Sequence, residues 1–164
     1  MKMTIFQYLK GYKKMMKKNK IIQLMVIIAS ILILIDQITK IIITAKYEMP
    51  IGTGIIGITL VENTGMAFGF NSGNTKNIIL TMLILGIIIN FIRNQKDRID
   101  TKTAVAISLI LAGGISNLID RIVRGGIVDF IDVKNFAIFN VADCYIFVGG
   151  ILLVVFLIKF NKKW

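Results

Sequence analysis

Four long runs without any Asp, Glu, Lys or Arg limit what this chain can fold into. They cover residues 21–35, 77–92, 103–119 and 144–158, and are 15, 16, 17 and 15 residues long. A helix needs roughly 20 mostly apolar residues to cross the hydrocarbon core of a bilayer, so each run must extend into its flanks. We therefore predict an all-α membrane protein with four transmembrane helices. The predicted spans cover about residues 21–44, 76–93, 103–120 and 143–160.

The rest of the chain divides around these spans. Residues 1–20 form a basic leader, residues 21–160 a four-helix membrane domain, and residues 161–164 a short tail. The segment between the first two spans, 45–75, contains the only proline, six glycines and two short β-like runs, at 55–61 and 66–70. Proline disrupts helices and β-branched residues favour strands. The sequence therefore predicts a small extracytoplasmic β-like platform and loop.

The net charge of +11 is unevenly distributed along the chain. Of the 20 Lys and Arg residues, 14 lie before the first span, between the second and third, or after the fourth. Positive residues favour the cytoplasmic ends of spans, so we predict that both termini, with the leader and the tail, lie in the cytoplasm. These cations flank apolar runs, which argues against nucleic acid as a partner.

Five acidic residues stand at the predicted outer ends of spans or in the loop after the third span: Asp36, Asp120, Asp129, Asp132 and Asp143. Ionisable groups at membrane depth are costly and usually functional. Because four separate stretches supply these residues on one predicted face of the membrane, we expect them to converge. The alternative is a small proton- or ion-coupled transport protein, which would need acids at depth in several spans with access from both faces.

Each polar residue also has a purely structural interpretation. Asp36 and Lys40, four residues apart on a predicted helix, suit a salt bridge that neutralises both. The glycine pair at 113–114 permits close approach of the third span to another helix, and the polar residues that end this span suit hydrogen bonding between helices. Asp129 could be an exposed loop carboxylate, and Asp143 could cap the fourth helix. If these interpretations held throughout, the chain would be a structural or assembly subunit.

Taken together, the acids offer two carboxylates on opposite sides of a short reversal, with amide side chains nearby. Two close carboxylates cannot both ionise cheaply, so one keeps a proton and the pair supplies a base and an acid. Such a pair can activate water and protonate a leaving amine. The chain has no histidine and a single cysteine, Cys144, which excludes Ser/His and Cys/His pairs and a Cys/His metal site.

Five segments resemble the signature segments of one family, bacterial lipoprotein signal peptidase, also called signal peptidase II. They are DQITK (36–40), ENTGMAFG (62–69), GGISNLIDR (113–121), IVDF (127–130) and FNVAD (139–143). The resemblance implies an intramembrane aspartyl endopeptidase of the bacterial cell membrane. Such an enzyme removes the signal peptide from prolipoproteins, before a cysteine that carries a diacylglyceryl thioether. It needs no cofactor and no metal.

By the same resemblance, the catalytic residues are Asp129 and Asp143. Residues that line or brace the site are Asn63, Gly65, Asn117, Arg121, Asn140 and Ala142, with support from Asp36 and Lys40. Lipid-modified prolipoproteins and membrane lipids are the implied partners, and we expect a monomer with its site near the extracytoplasmic face. The chain departs from the family at Cys144, where members usually carry serine.

Asp120 is a third candidate for a catalytic carboxylate, besides Asp129 and Asp143. It stands beside Arg121, and a cation held close would keep its carboxylate ionised. A permanently ionised carboxylate is a poor proton shuttle. We therefore predict a structural role for Asp120, bracing the end of the third span against the outer loop.

Overall fold

The computed structural model describes residues 5–48, 50–52, 54–65, 73–95 and 99–161. The described helices are α1 (Ile5–Lys46), α2 (Asn74–Gln95), α3 (Thr101–Val123) and α4 (Val141–Asn161). The described strands are β1 (Ile56–Asn63), β2 (Ile127–Val133) and β3 (Ala137–Phe139). Strand β1 confirms the β-like run predicted at 55–61. The run predicted at 66–70 lies outside the described residues.

Three helical stretches are long and apolar enough to cross a membrane: Asn19–Lys46, Asn74–Gln95 and Thr101–Val123. They coincide with the first three predicted spans. The apolar part of α4, Val141–Phe156, is shorter and would cover about 24 Å of a core roughly 30 Å thick. The fourth span therefore stays a prediction. Helix α1 continues without a break through residue 20, so the described leader residues belong to the same helix as the first span.

The distribution of buried residues is inverted relative to a water-soluble protein. Large apolar side chains such as Leu83 and Ile87 are exposed on the helix surfaces, at 60% and 69%. The fully buried side chains include several that are charged or polar, namely Asp36, Lys40, Ser116, Asp120 and Asn140. An apolar exterior around a polar interior suits a protein whose surroundings are lipid, because the polar groups there find partners only inside the protein.

Glycines bring α3 and α4 into close contact. A Cβ atom at Gly113 would overlap the carbonyl oxygen of Ala142, and one at Gly149 would lie 2.8 Å from the carbonyl oxygen of Ala106. Small residues at these crossings let the two backbones approach each other, as the sequence predicted for Gly113. The start of α4 is thereby held against the outer half of α3.

The sheet is antiparallel, with strand order β1-β2-β3. A register shift between Ile58 and Val61 places Val61 opposite Asp129 and Asn63 opposite Ile127. Cross-strand partners share a face, and so do residues two apart on one strand. Asn63 therefore lies on the same face as Asp129. Because β3 is followed almost immediately by α4, the sheet brings this face to the start of that helix.

Candidate active site

Residues from four elements meet at the end of the bundle that carries the sheet. Of the five acids expected to converge, Asp36, Asp120, Asp129 and Asp143 do so, through the shared contacts described below. Asp132 does not take part. It lies three residues beyond Asp129 on β2 and therefore on the opposite face of the strand, where its Oδ2 accepts a hydrogen bond from the Thr59 hydroxyl at 2.8 Å.

Asp129 lies within β2 and is only 3% exposed, so its interpretation as an exposed loop carboxylate is wrong. Its Oδ1 accepts a hydrogen bond from Asn140 Nδ2 at 2.7 Å, and its Oδ2 accepts one from Asn63 Nδ2 at 3.0 Å. The pKa of Asp129 is raised to about 6: burial contributes most to the rise and the nearby Asp143 carboxylate adds to it, whereas the two amide donors and the Lys40 cation oppose it. Asp129 can therefore hold a proton in mildly acidic conditions.

Asp143 lies in the first turn of α4 and does form part of a cap. Its Oδ2 accepts from the Asn140 backbone N–H at 3.2 Å, while Asn140 Oδ1 accepts from the Asp143 N–H at 2.9 Å. This reciprocal pattern is a capping box. The other oxygen, Oδ1, accepts from Asn117 Nδ2 on α3 at 2.8 Å. A helix cap does not require the contact with Asn117. The Asp143 carboxylate therefore caps α4 and also takes part in the polar cluster.

Two side-chain amides, those of Asn140 and Asn117, join the two carboxylates. Asn140 Nδ2 donates to Asp129 Oδ1 and also to Asn117 Oδ1, the second at 3.1 Å. Asn117 in turn donates to Asp143. Asn140 is fully buried and Asn117 is 5% exposed, so water competes little for these bonds. Asp129 and Asp143 are thus held in one network in which each carboxylate oxygen has an amide donor.

A second group of contacts adjoins this network and involves Asn63, Gly65 and Arg121. Asn63 Oδ1 accepts from the Gly65 N–H at 3.0 Å, a local turn that fixes the amide which donates to Asp129. Arg121 Nη2 donates to the Gly65 carbonyl oxygen at 2.7 Å, and the Arg121 carbonyl accepts from Asn74 Nδ2 at 3.0 Å. The end of β1 is therefore tied to the end of α3.

Asp36 and Lys40 form the predicted salt bridge, at 2.8 Å, with both side chains fully buried. The Asp36 carboxylate of this salt bridge also accepts hydrogen bonds from two other helices. Asp36 Oδ1 accepts from the Ala142 backbone N–H at 2.8 Å, and Asp36 Oδ2 accepts from the Ser116 hydroxyl at 2.6 Å. Asp36 thereby connects α1 to the first turn of α4 and to α3.

Asp120 is paired with different cations from the one that we expected. Its Oδ2 lies 2.6 Å from Lys40 Nζ, and its Oδ1 is paired with Arg124 Nη1. Arg121, the expected partner, instead donates to Gly65. Adjacent residues on a helix point about 100° apart, whereas residues four apart share a face, which explains why Arg124 and not Arg121 reaches Asp120.

Sequence reasoning overlooked three contributors to the cluster. Gln37 Nε2 donates to Asp120 Oδ1 at 2.9 Å and to the Ser116 hydroxyl oxygen at 2.9 Å. Arg124 Nη1 donates to Gln37 Oε1 at 2.9 Å. The spacing of four between Asp120 and Arg124 was a usable signal, whereas nothing in the sequence marked Gln37 or Ser116 as partners across helices.

Comparisons with known proteins agree on one family. A sequence model of the family described as signal peptidase (SPase) II matches residues 28–159. A lipoprotein signal peptidase of Caldanaerobacter subterraneus subsp. tengcongensis is 40% identical over 136 residues, which cover 78% of this chain and 91% of the relative. A lipoprotein signal peptidase of Staphylococcus aureus (strain bovine RF122 / ET3-1) is 37% identical over 159 residues, which cover 90% and 97%.

The fold comparison points the same way. A solved bacterial membrane enzyme superposes with a TM-score of 0.77 and 34% sequence identity, covering 87% of this chain and 92% of that enzyme. A second such structure gives a TM-score of 0.73, again at 34% identity.

Proposed function

Because the chain belongs to the signal peptidase II family, we propose that it removes the signal peptides of prolipoproteins by an aspartyl mechanism with Asp129 and Asp143 as the catalytic pair. The observation that carries the proposal is the network described above. It holds two carboxylates, one from a strand and one from a helix, around two linked amides, with a donor on each oxygen. The comparisons give no support to the transport alternative.

The two carboxylates differ in a way that suggests separate roles. Burial raises the pKa of Asp129 to about 6, which suits the residue that carries the shared proton. Asp143 stands at the N-terminus of α4, where the helix dipole favours a negative charge. We therefore assign Asp129 as the acid and Asp143 as the base, with the pair titrating as a unit.

In this mechanism a water molecule attacks the scissile carbonyl carbon and gives one proton to Asp143. Asp129 gives its proton to the carbonyl oxygen, and a tetrahedral diol forms. The C–N bond then breaks, the leaving amine takes the proton held by Asp143, and a proton from the diol returns to Asp129. The new acid and the new amine are the products, and the pair again holds one proton. No covalent intermediate with the protein is required.

The substrate and the orientation follow from the same proposal. The enzyme cleaves the peptide bond before the lipidated cysteine. The lipid chains of the substrate lie along the apolar faces of the bundle, which stay exposed to lipid if the protein is a monomer. The cation asymmetry supports an orientation with both termini in the cytoplasm of a bacterial cell and the catalytic pair near the extracytoplasmic face of its cell membrane.

The proposed function is tested by incubating purified protein in detergent or nanodiscs with a diacylglyceryl-modified prolipoprotein. We expect two products by mass spectrometry, with the cut immediately before the modified cysteine. The same prolipoprotein without the lipid serves as the control and should be cleaved much more slowly. Absence of cleavage by folded protein, or a cut elsewhere, would contradict the proposal.

The orientation is tested with single cysteines in a Cys144→Ser background. A cysteine near Gly73, between the first two spans, should react with a membrane-impermeant maleimide added to intact cells. A cysteine at Gln95, at the other end of α2, should react only after the membrane is opened. Labelling of position 95 from outside would reverse the proposed orientation.

Cys144 invites a rival interpretation because it follows Asp143 and is the only thiol of the chain. A cysteine nucleophile needs a base such as histidine, and the chain has none. We therefore expect Cys144→Ser, which restores the residue usual in the family, to keep most of its cleavage rate per folded protein. An inactive but folded Cys144→Ser variant would favour a thiol mechanism instead.

A further inference from the structure

The Lys40 ammonium group reaches the catalytic pair through a single amide. We propose that Lys40 is a positioning residue for catalysis. It fixes the Asn117 amide so that the NH₂ group of that amide faces Asp143, and it supplies a buried positive charge near the catalytic pair. This inference rests on the proposed aspartyl mechanism. It goes beyond structural support, because a salt bridge that only holds helices together would leave the pair's chemistry unchanged.

All three N–H bonds of the ammonium can be accounted for. Lys40 Nζ lies 2.8 Å from Asp36 Oδ2 and 2.6 Å from Asp120 Oδ2, and it donates to Asn117 Oδ1 at 3.1 Å. A lysine side chain has three donors and no acceptor. Lys40 is fully buried, so these acceptors replace water. Two of its contacts pair the ammonium group with carboxylates and neutralise its charge, and the third goes to the Asn117 amide beside the catalytic pair.

That third bond, together with one from Asn140, decides which way the Asn117 amide faces. Its Oδ1 accepts from Lys40 Nζ and from Asn140 Nδ2, both at 3.1 Å. Neither of these nitrogens can accept a hydrogen bond. A reversed amide would point its NH₂ group at two donors and its oxygen at the Asp143 carboxylate, and all three bonds would be lost. The Nδ2 donor must therefore face Asp143, where it makes its 2.8 Å bond.

The charge of Lys40 also acts on the pair. Its positive field lowers the pKa of Asp129 and so opposes the effects of burial and of Asp143. The other charged or titratable groups near the pair are Asp36 and Lys40 on α1, Asp120 and Arg121 on α3, and Cys144 on α4. Removal of the Lys40 cation should therefore raise the pKa of Asp129.

Arg124 provides a matched control, because it is the other cation paired with Asp120. Its remaining described side-chain contact is Gln37, and it does not touch Asn117. Lys40→Met and Arg124→Met thus each remove one cation from Asp120, but only the first removes the contact to the amide that donates to Asp143. A purely structural role predicts that both variants lose stability and that neither changes the chemistry of the protein that folds.

The experiment measures kcat and KM against pH for the two variants, normalised to folded protein. For Lys40→Met we expect kcat to fall roughly 100-fold, as misplacement of a catalytic group does, with little change in KM. The alkaline limb of the profile should move to higher pH, because Asp129 then holds its proton more tightly. Arg124→Met should keep the wild-type kcat and profile while its melting temperature falls.

A second variant guards against failure of Lys40→Met to fold. Lys40→Met combined with Asp36→Asn removes one positive and one negative charge, and it leaves the Asp120–Arg124 pair intact. We expect the same loss in kcat and the same shift of the profile. A wild-type kcat and profile in this double variant would overturn the inference, provided that Asp129→Asn is inactive in the same assay. Activity in Asp129→Asn would instead show that the aspartyl mechanism itself is wrong, and the role of Lys40 would fall with it.

Discussion

Replacement of either Asp129 or Asp143 with asparagine is expected to abolish detectable cleavage while the protein stays folded in the membrane. An amide can neither take the proton of the attacking water nor return one to the carbonyl oxygen. Each proton transfer contributes roughly 10²–10⁴-fold to the rate. The measurement is the cleavage rate of a lipidated prolipoprotein per folded protein, with the melting temperature in detergent recorded alongside.

The structure supplies a control for each site. Asp132→Asn removes a carboxylate from the same strand as Asp129, but from the face that contacts Thr59, and it should keep the wild-type rate. Asp100 caps the start of α3 and accepts from the Thr103 N–H at 2.9 Å, so Asp100→Asn reports what a similar change does at a helix N-terminus away from the site. If Asp143 served only as a cap, Asp143→Asn would behave like Asp100→Asn.

The double variant provides the sharper test of a shared role. If Asp129 and Asp143 act as a unit, removal of the second should cost little once the first is gone. The combined variant should then be scarcely slower than either single one. Substantial turnover by either single variant would exclude that aspartate from the pair.

The parts of the fold that depend on local pattern were predictable. The charge-free runs located the four described helices, three of which are long and apolar enough to cross a membrane, the β-branched run at 55–61 located β1, and Gly113 marked the close approach of α3 and α4. Each of these features is a property of one short segment, where apolar periodicity, strand propensity or residue size decides the outcome.

The environment of each acid was not predictable from its own segment. The segment around Asp129 left an exposed loop carboxylate as one interpretation, yet its two donors come from Asn63 on another strand and from Asn140, which follows β3. Asp120 stands next to Arg121 but is paired with Arg124 and with Lys40, which is 80 residues earlier in the chain. Burial and pairing depend on how the elements pack, and the resemblance to a family was needed to name the catalytic carboxylates.

Asp120 is the carboxylate whose replacement should cost the most stability without removing the chemistry. It is fully buried and receives four contacts: Lys40 Nζ, Arg124 Nη1, Gln37 Nε2 at 2.9 Å and the Val128 N–H at 3.3 Å. Through these contacts it joins α1, the end of α3 and the start of β2. Both carboxylate oxygens are already bound to these partners, which suits a structural role for Asp120.

In Asp120→Asn, the cluster of Asp36, Asp120, Lys40 and Arg124 changes from neutral to a net charge of +1, and an amide NH₂ group must face a cation or another donor. Removal of one partner from a buried ion pair costs roughly 3–5 kcal/mol. We therefore expect a lower melting temperature and a lower yield in detergent. Lys40 keeps Asp36 as its anchor, so it can still hold Asn117, and the protein that folds should retain cleavage. Asp132→Asn, which removes a less buried carboxylate, should leave the melting temperature nearly unchanged. If Asp120→Asn instead had wild-type stability and no activity, Asp120 would belong to the catalytic pair and the assignment of Asp129 would be wrong.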